Sequence, residues 1–284
     1  GMLYVGIGSD NSIGLVNLNS LQLQRQWQGP TLASDKTSGC PDNMCRGVGV
    51  AGIAPSRDGK WAMVSSMVPD SLTRVDLETG KAAWSVKTGR YPRNSFLSDN
   101  EQYAFVVNGP DNSVSVVDVA QRKLLFTRPI GKDLSWAPFG RWIGAVKGKG
   151  VLYLADMADN VILTLDTEQP GALRKVIELG NVMPHVLALS ADEGKLFVSG
   201  SGGLHTFDTR TFEHIHSFLT CSGKTLREFA VSSDGKWIAV ENEDQRFNDR
   251  KTVRIVSTSS ERTVRAVPVP EAYNVMRFSK DGSA

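Results

Sequence analysis

Residues 56–86 read SRDGKWAMVSSMVPDSLTRVDLETGKAAWSV, and this stretch predicts the repeating unit of the fold. Asp58-Gly59 stands between apolar runs, and an Asp-Gly pair in that setting indicates a hairpin because the turn requires positive φ. With the short apolar stretch before it, the segment divides into strands at residues 50–54, 61–65, 72–77 and 82–86. It therefore predicts four antiparallel strands joined by tight turns.

The unit recurs along the chain at intervals of roughly 40–50 residues, a period typical of four-stranded propeller blades. The turn position of Gly59 aligns with Glu101, Gly150, Gly194, Gly235 and Gly282. The third strand of each unit ends near a short polar residue: Asp76, Asp118, Asp166, Asp208 and Ser257. We expect these side chains to accept backbone N–H bonds in the turns that follow. One four-stranded sheet cannot bury both its faces, so the units must pack around a common axis.

The two ends of the chain supply complementary parts of one blade. Residues 278–282 read as a first strand and turn, and residues 2–6, 13–18 and 21–27 as the other three strands. With five internal units this predicts an all-β, single closed β-propeller of six blades, formed by residues 1–284 as one domain. Sharing a blade between the termini would remove exposed sheet edges. The alternative is a fragment of a longer chain cut at both ends.

Several motifs resemble the YVTN-type β-propellers, a WD40-like repeat family. They are YAFVVN at Tyr103–Asn108, DNSVSVVD at 111–118, the Asp-Gly-Lys-Trp turns, and the Gly-x-x-Pro pattern that begins at Gly89. The family includes surface-layer-associated repeats and the propeller subunits of quinoprotein amine dehydrogenases. The resemblance covers most of the chain and implies a blade, not an activity. It also implies seven blades, the usual number in that family, whereas the repeats here count six.

Composition excludes some classes of partner. The chain is 40% hydrophobic and 22% charged, as in ordinary globular proteins, and its net charge of +2 gives no reason to expect nucleic acid. No apolar run approaches the ~20 residues of a transmembrane helix. We therefore expect neither nucleic-acid binding nor a membrane span.

Polar, mainly basic residues recur where one unit's outer strand leads into the next unit's inner strand. By alignment they are Arg93, His185, Arg227 and Asn274, with Arg141 near the same position in the fourth blade. In propellers these connections lie where the central channel opens, and loops on a rigid scaffold often bind ligands. Converging cations favour a small anionic ligand or an acidic protein surface. The alternative is that each Arg pairs with a carboxylate on its own loop, such as Glu228 or Glu271.

Catalytic and metal-binding patterns are weaker. His214 and His216 alternate on a predicted fourth strand, so we expect them to face the same way; they are either a metal-binding pair or part of an exposed outer strand. His185 is a candidate axial haem ligand on the evidence of a single residue after Pro184. The sequence has no Cys-x-x-Cys-His haem-attachment motif and no Gly-x-Ser-x-Gly nucleophile elbow. It thus predicts no catalytic residue, bound metal or cofactor.

Three functions remain. The first, which we favour, is a non-catalytic scaffold that binds a protein partner or a small anionic ligand at the channel mouth. The second, implied by the resemblance, is the propeller subunit of a multi-subunit redox enzyme. The third is a metal-dependent lactonase or hydrolase, for which Asn94, Glu228 and Asn274 are candidate oxygen ligands, although the neighbouring basic residues argue against a divalent cation.

The longest loop, residues 28–49, contains Cys40 and Cys45. We expect a disulfide between them, which would place the protein in an oxidising compartment, periplasmic or secreted. One alternative is half of a metal site, although Cys221 is the only other cysteine and no second pair completes it. The other is a pair of free thiols in a cytoplasmic protein.

The disulfide hypothesis predicts that protein from its native compartment has one reactive thiol in denaturant, that of Cys221. After reduction, Cys40 and Cys45 should react as well. The measurement is a thiol titration in denaturant with and without reductant. Three reactive thiols before reduction would refute both the disulfide and the exported location.

Overall fold

A computed structural model describes residues 2–7, 12–17, 20, 22–28, 49–67, 69–109, 111–132, 144–218, 229–232, 234–241, 252–260 and 262–268. Every regular element in these ranges is a β-strand, and none contains a helix long and apolar enough to cross a membrane. Contacts divide the chain into two compact units: Gly1–Arg141 with Asp166–Gly171, and Trp142–Leu165 with Ala172–Ala284. The single-domain assignment stays a prediction.

The first unit contains three sheets. Their strands are β1 (Met2–Ile7), β2 (Ser12–Asn17) and β3 (Gln22–Gln28); β4 (Val50–Pro55), β5 (Trp61–Ser66), β6 (Ser71–Asp76) and β7 (Ala82–Lys87); β8 (Pro92–Leu97), β9 (Tyr103–Asn108), β10 (Ser113–Asp118) and β11 (Lys123–Pro129). The strands of each sheet are antiparallel and follow one another in sequence order.

The second unit contains three four-stranded sheets with the same order. Their strands are β12 (Ala145–Gly148), β13 (Val151–Asp156), β14 (Val161–Asp166) and β15 (Arg174–Glu178); β16 (Leu187–Leu189), β17 (Lys195–Gly200), β18 (Gly203–Asp208) and β19 (His214–Phe218); β20 (Phe229–Val231), β21 (Trp237–Glu241), β22 (Thr252–Ser257) and β23 (Thr263–Pro268). The described residues thus form six sheets, as the repeat predicts. Residues 278–282, expected to complete the sheet of β1–β3, and Cys40 and Cys45 lie outside the described residues.

The turn between the first two strands of a sheet repeats a local hydrogen-bond pattern. Ser56 Oγ accepts the Trp61 N–H (3.1 Å), Asp58 Oδ1 accepts the Lys60 N–H (3.0 Å), and Gly59 has a φ of 69°. The same Ser and Asx contacts recur at Ser98 with Asn100, Ser190 with Asp192, and Ser232 with Asp234. The Asp-Gly-Lys-Trp motif is therefore a turn whose side chains satisfy its own backbone donors.

One step of the repeat alignment is wrong by a residue. The position equivalent to Gly59 in the fifth sheet is Glu193, with a φ of 56°, rather than Gly194. Glu101 occupies the same place in the third sheet, with a φ of 60°. Left-handed φ is unfavourable for Glu, and each carboxylate accepts a backbone N–H from the preceding sheet: Arg57 donates to Glu101, and Lys149 donates to Glu193 at 2.7 Å. These bonds between sheets offset the strain.

The short polar residues at the ends of third strands act as predicted. Asp76 Oδ1 accepts the N–H groups of Glu78 (3.1 Å) and Thr79 (2.7 Å), and the bonds from Thr79 hold the Asp76 pKa below its ordinary value. Equivalent bonds end at Asp118, Asp166, Asp208 and Ser257. Their recurrence in one sheet after another marks them as turn-forming residues.

Each outer strand carries a β-bulge at the same place, a feature the sequence analysis missed. One residue stands unpaired in each: Gln24, Ala83, Leu125, Val176, Ile215 and Val264. Leu125, Ile215 and Val264 are among the exposed large hydrophobic residues. A bulge adds local twist and disrupts the ladder, which makes the exposed edge a poor template for another strand.

Apolar faces of successive sheets pack together within each unit. In the first unit, Met63 and Leu72 are fully buried against Ala104 and Val106 of the next sheet. In the second unit, Ile162 of one sheet lies in a core with Leu196 and Phe207 of the next. Each sheet therefore depends on its neighbours to bury its faces.

Two leucines test this dependence. Leu72→Ala removes a fully buried side chain and should cost about 2–5 kcal/mol of unfolding free energy. Leu125→Ala, at a bulge where the side chain is 41% exposed, should change stability by less than about 0.5 kcal/mol. Thermal unfolding followed by circular dichroism compares the two. Equal losses would contradict the packing of β6 between sheets.

Candidate functional site

The connection between β7 and β8 is held more tightly than its position in a loop suggests. The backbone N–H groups of residues 88–91 all have acceptors on loops or strands of the two flanking sheets. In chain order, Thr88 donates to the Asp70 carbonyl (3.0 Å), Gly89 to Ser115 Oγ (3.1 Å), Arg90 to Asp111 Oδ2 (2.8 Å) and Tyr91 to Asp70 Oδ1 (2.8 Å). We name Asp70, residues 89–91 and Asp111 the Arg90–Tyr91 cluster. Each backbone N–H of this connection is thus hydrogen-bonded within the protein itself.

Tyr91 adopts an unfavourable backbone conformation in this cluster. Its φ is 52°, in the left-handed region that bulky residues rarely occupy. Its N–H and its carbonyl are both bonded, the latter accepting from Gly109 N–H at 3.1 Å. Such strain costs on the order of 1–3 kcal/mol and tends to occur at functional positions.

Gly89 is required by close packing. A Cβ at this position would lie 2.6 Å from Asn108 Nδ2 and 2.9 Å from Asp111 Oδ2. The corresponding Gly180 in the second unit is needed for a different reason, because its φ is 63° and its surroundings are open. The Gly-x-x-Pro pattern in the sequence thus has two separate structural causes.

The charges of the cluster come from three loops of the first unit. Arg90 Nε donates to Asp111 Oδ1 at 2.6 Å, with side-chain exposures of 54% for Arg90 and 23% for Asp111. Asp70 is half-buried, and desolvation raises its pKa above 3.8, although the Tyr91 N–H opposes this rise. The nearby Asp111 charge also raises the pKa of Asp70, while Lys87 and Arg90 lower it. The Asp70 carboxylate therefore opposes folding at neutral pH.

Arg93 and His185, two residues of the predicted ring, occupy equivalent places in their own units. The Arg93 carbonyl accepts Ser65 Oγ at 2.7 Å and lies where a Cβ on Gly52 would overlap it. The His185 carbonyl stands in the same way against Gly144. The alignment of these two residues is therefore structurally sound, whereas Arg141, Arg227 and Asn274 lie outside the described residues. Convergence of the ring remains a prediction.

The expectation that His214 and His216 face the same way is wrong. The β19 bulge at Ile215 pairs His216 with Thr206 and His214 with Phe207, and these adjacent β18 residues face opposite sides. His216 packs edge-on against Phe218, with ring centroids 4.9 Å apart. His214 instead lies beside His205, a residue that the sequence analysis did not single out.

Metal-binding groups are sparse in the part of the chain that the structure describes. There, no three or more His, Cys, Asp or Glu side chains come together. Of the candidate oxygen ligands for a hydrolase, Asn94 is exposed on β8, and Glu228 and Asn274 fall outside the described residues.

Three solved structures of similar architecture place these observations in context. The chain resembles hydrazine synthase of Kuenenia stuttgartiensis (TM-score 0.70, 13% identity, covering 99% of this chain and 87% of the other). It resembles the β-propeller domain of Myceliophteria thermophila Cps50 (Swd1) to the same degree (TM-score 0.71, 15% identity, 98% and 87%). The fold is that of a β-propeller.

The six sheets are accordingly its blades. The third similar structure is dihydro-heme d1 dehydrogenase NirN in complex with DHE (TM-score 0.70, 14% identity), of which the match covers 56% while covering 99% of this propeller. No family model and no curated protein matches the chain. These similarities extend to the fold alone, and the YVTN-type assignment remains a resemblance.

Asp70→Asn tests the charge of the cluster. The variant retains an oxygen acceptor for the Tyr91 N–H and removes a partly desolvated charge. A carboxyl with a raised folded-state pKa contributes its stability below 3.8, and that contribution is lost as the pH rises through the folded value. The melting temperature of Asp70→Asn should therefore exceed that of the wild type at pH 7, and the difference should shrink at acid pH.

Asp70→Ala is the matched control, because it removes both the charge and the acceptor. It should be less stable than Asp70→Asn at every pH, since the Tyr91 N–H then lacks its partner. Melting curves of the three proteins at pH 3 and pH 7 make the comparison. An Asp70→Asn protein less stable than the wild type at pH 7 would show that the carboxylate is stabilised by its surroundings.

Proposed function

We propose that this propeller is a non-catalytic scaffold that binds a protein partner through the Arg90–Tyr91 cluster. The observation that carries the proposal is the fixed connection at residues 88–91, with every backbone donor bonded and Tyr91 strained. A strained conformation persists only where the surroundings determine it, and such places are often functional.

The chemistry of the cluster suits protein recognition. Arg and Tyr, together with Trp, are enriched among the side chains that dominate the energy of protein interfaces, because they bury large surfaces and form hydrogen bonds at their ends. More than half of the Arg90 side chain is exposed, and Tyr91 is partly exposed. A backbone already ordered before association reduces the entropy lost on binding.

A partner with acidic groups fits the charges nearby. Arg93 follows the cluster on β8 and Lys87 precedes it on β7, so basic residues flank Arg90 along the chain. We further propose that a carboxylate or other small anion binds at the channel mouth. The residues proposed to bind it are the predicted ring: Arg93, Arg141, His185, Arg227 and Asn274. Charge-assisted hydrogen bonds between Arg and such groups are stronger than neutral ones.

The named functions of similar structures do not decide between scaffold and enzyme. Hydrazine synthase and the NirN dehydrogenase are named as enzymes, whereas Cps50 (Swd1) is named as a propeller domain. At 13–15% identity these structures inform the fold only. The scaffold proposal accordingly depends on the residues of the cluster.

Tyr91→Gly separates recognition from stability. Glycine accepts a φ of 52°, so the variant should keep its fold and its melting temperature. Loss of the ring should weaken partner binding by about 2 kcal/mol, roughly thirtyfold. The experiment is chemical crosslinking in the native host followed by quantitative mass spectrometry, with affinity then measured on the purified partner.

Arg122→Gly is the matched control. Arg122 is exposed in the turn between β10 and β11 and has a φ of 55°, so its replacement relieves similar strain away from the cluster. It should recover the same partner at wild-type yield, and Arg90→Ala should reduce that yield. If Tyr91→Gly and Arg122→Gly recover every partner equally, the cluster is only a rigid loop.

A further inference from the structure

Two histidines of the fifth blade point a ring nitrogen at the same hydroxyl. His205 on β18 and His214 on β19 are neighbours, with ring centroids 6.5 Å apart. His205 Nδ1 lies 2.8 Å from Ser217 Oγ, and His214 Nε2 lies 2.7 Å from the same atom. The two nitrogens therefore converge on one point beside the outer strand.

The hydrogen bonds determine the tautomer of His205. Its Nε2 lies 3.1 Å from the Ser201 carbonyl oxygen, which can only accept, so Nε2 carries the proton. In the neutral ring, Nδ1 is then unprotonated, and Ser217 Oγ–H donates to it. The Ser217 oxygen accepts in turn from His214 Nε2–H. A carbonyl that orients a histidine in this way is the usual second partner of a metal-binding imidazole.

The two imidazoles have different surroundings: His205 is partly buried, and His214 is open to solvent. His205 is about half-buried, and this burial lowers its pKa below 6.5. His214 is exposed, so it can exchange its Nε2 proton for one on Nδ1 that water accepts. Both imidazoles can then present lone pairs to the same point.

We propose that His205 and His214 form a binding site for a divalent first-row transition ion such as Zn²⁺ or Cu²⁺. Imidazole nitrogens bind these ions at about 2.0–2.1 Å, so the exposed His214 side chain would rotate to bring its nitrogen to that distance. The ion would take the place of the proton chain through Ser217, whose hydroxyl adjoins it, and water would complete the coordination. Cu²⁺ should bind more tightly than Zn²⁺.

The β19 bulge creates this pair. Without the extra residue at Ile215, strand alternation would place His214 and His216 on one side, away from His205. With it, His214 lies over β18 beside His205 and edge-on to Phe207, with ring centroids 5.3 Å apart from the latter. The site therefore depends on backbone geometry and is independent of the Arg90–Tyr91 cluster.

The test uses untagged full-length protein with its cysteines alkylated, so that thiols cannot bind the metal. The chain has four histidines, which makes their imidazole NMR signals countable. Zn²⁺ should shift the signals of His205 and His214 at one equivalent and leave those of His185 and His216 in place. Calorimetric titration with Cu²⁺ gives the affinity.

Substitutions identify the ligands. His214→Gln and His205→Gln should each weaken binding at least about tenfold, or 1.4 kcal/mol. His216→Gln is the matched control, because His216 lies on the same strand beyond the bulge residue Ile215. This variant should bind the ion like the wild type. Because His214 is exposed, its variant should fold even if the His205 variant does not.

Two results would overturn the proposal. One is the absence of any His205 or His214 shift at a several-fold excess of Zn²⁺, which would make the Ser217 network a purely structural set of hydrogen bonds. The other is equal affinity for Cu²⁺ in His214→Gln and the wild type, which would place the bound ion elsewhere.

Discussion

The close approach of neighbouring first strands is the constraint on which each unit depends. Gly52 on β4 leaves room for the Arg93 carbonyl of the next blade, and Gly144 leaves the same room for the His185 carbonyl. A methyl group at either position would overlap backbone oxygen, which cannot move without displacing a strand. Because β8, which carries Arg93, begins at Pro92 directly after residues 88–91, this contact also restricts where the Arg90–Tyr91 cluster lies.

Backbone strain in this protein is accompanied by bonds between blades. Glu101 and Glu193 adopt left-handed φ, and each carboxylate accepts a backbone N–H from the preceding blade. At Tyr91, whose φ is also left-handed, the backbone N–H itself donates to Asp70 Oδ1 of the neighbouring blade. The strained backbone of Tyr91 is therefore held by its own N–H, and the same position carries a ring of the kind that often contributes to recognition.

The bulges on the outer strands serve two purposes. They distort the edge that would otherwise offer a regular ladder to another chain, and they change which face the side chains beyond them take. The second effect brings His214 to His205, whereas His216 stays on the opposite face beside Phe218. One inserted residue in a five-residue strand thus decides which imidazoles meet.

By itself the sequence determined the repeat, the strands to within a few residues, and the role of the Asp residues at strand ends. These features arise from local interactions: side-chain alternation along a strand, and short polar side chains that bond the backbone two or three residues away. For the same reason it identified the Gly-x-x-Pro pattern at Gly89, since Gly permits and Pro restricts the backbone at their own positions.

Tertiary structure decided what depended on contacts between distant segments. Two contacts join three loops that no sequence spacing relates. They are the ion pair of Arg90 with Asp111 and the hydrogen bond from the Tyr91 N–H to Asp70. The Glu193 carboxylate accepts the Lys149 N–H of the preceding blade, a contact that no spacing within the fifth blade indicates. The pairing of His205 with His214 required a bulge, whose energy depends on the neighbouring strand, so periodicity within β19 alone pointed to the wrong partner.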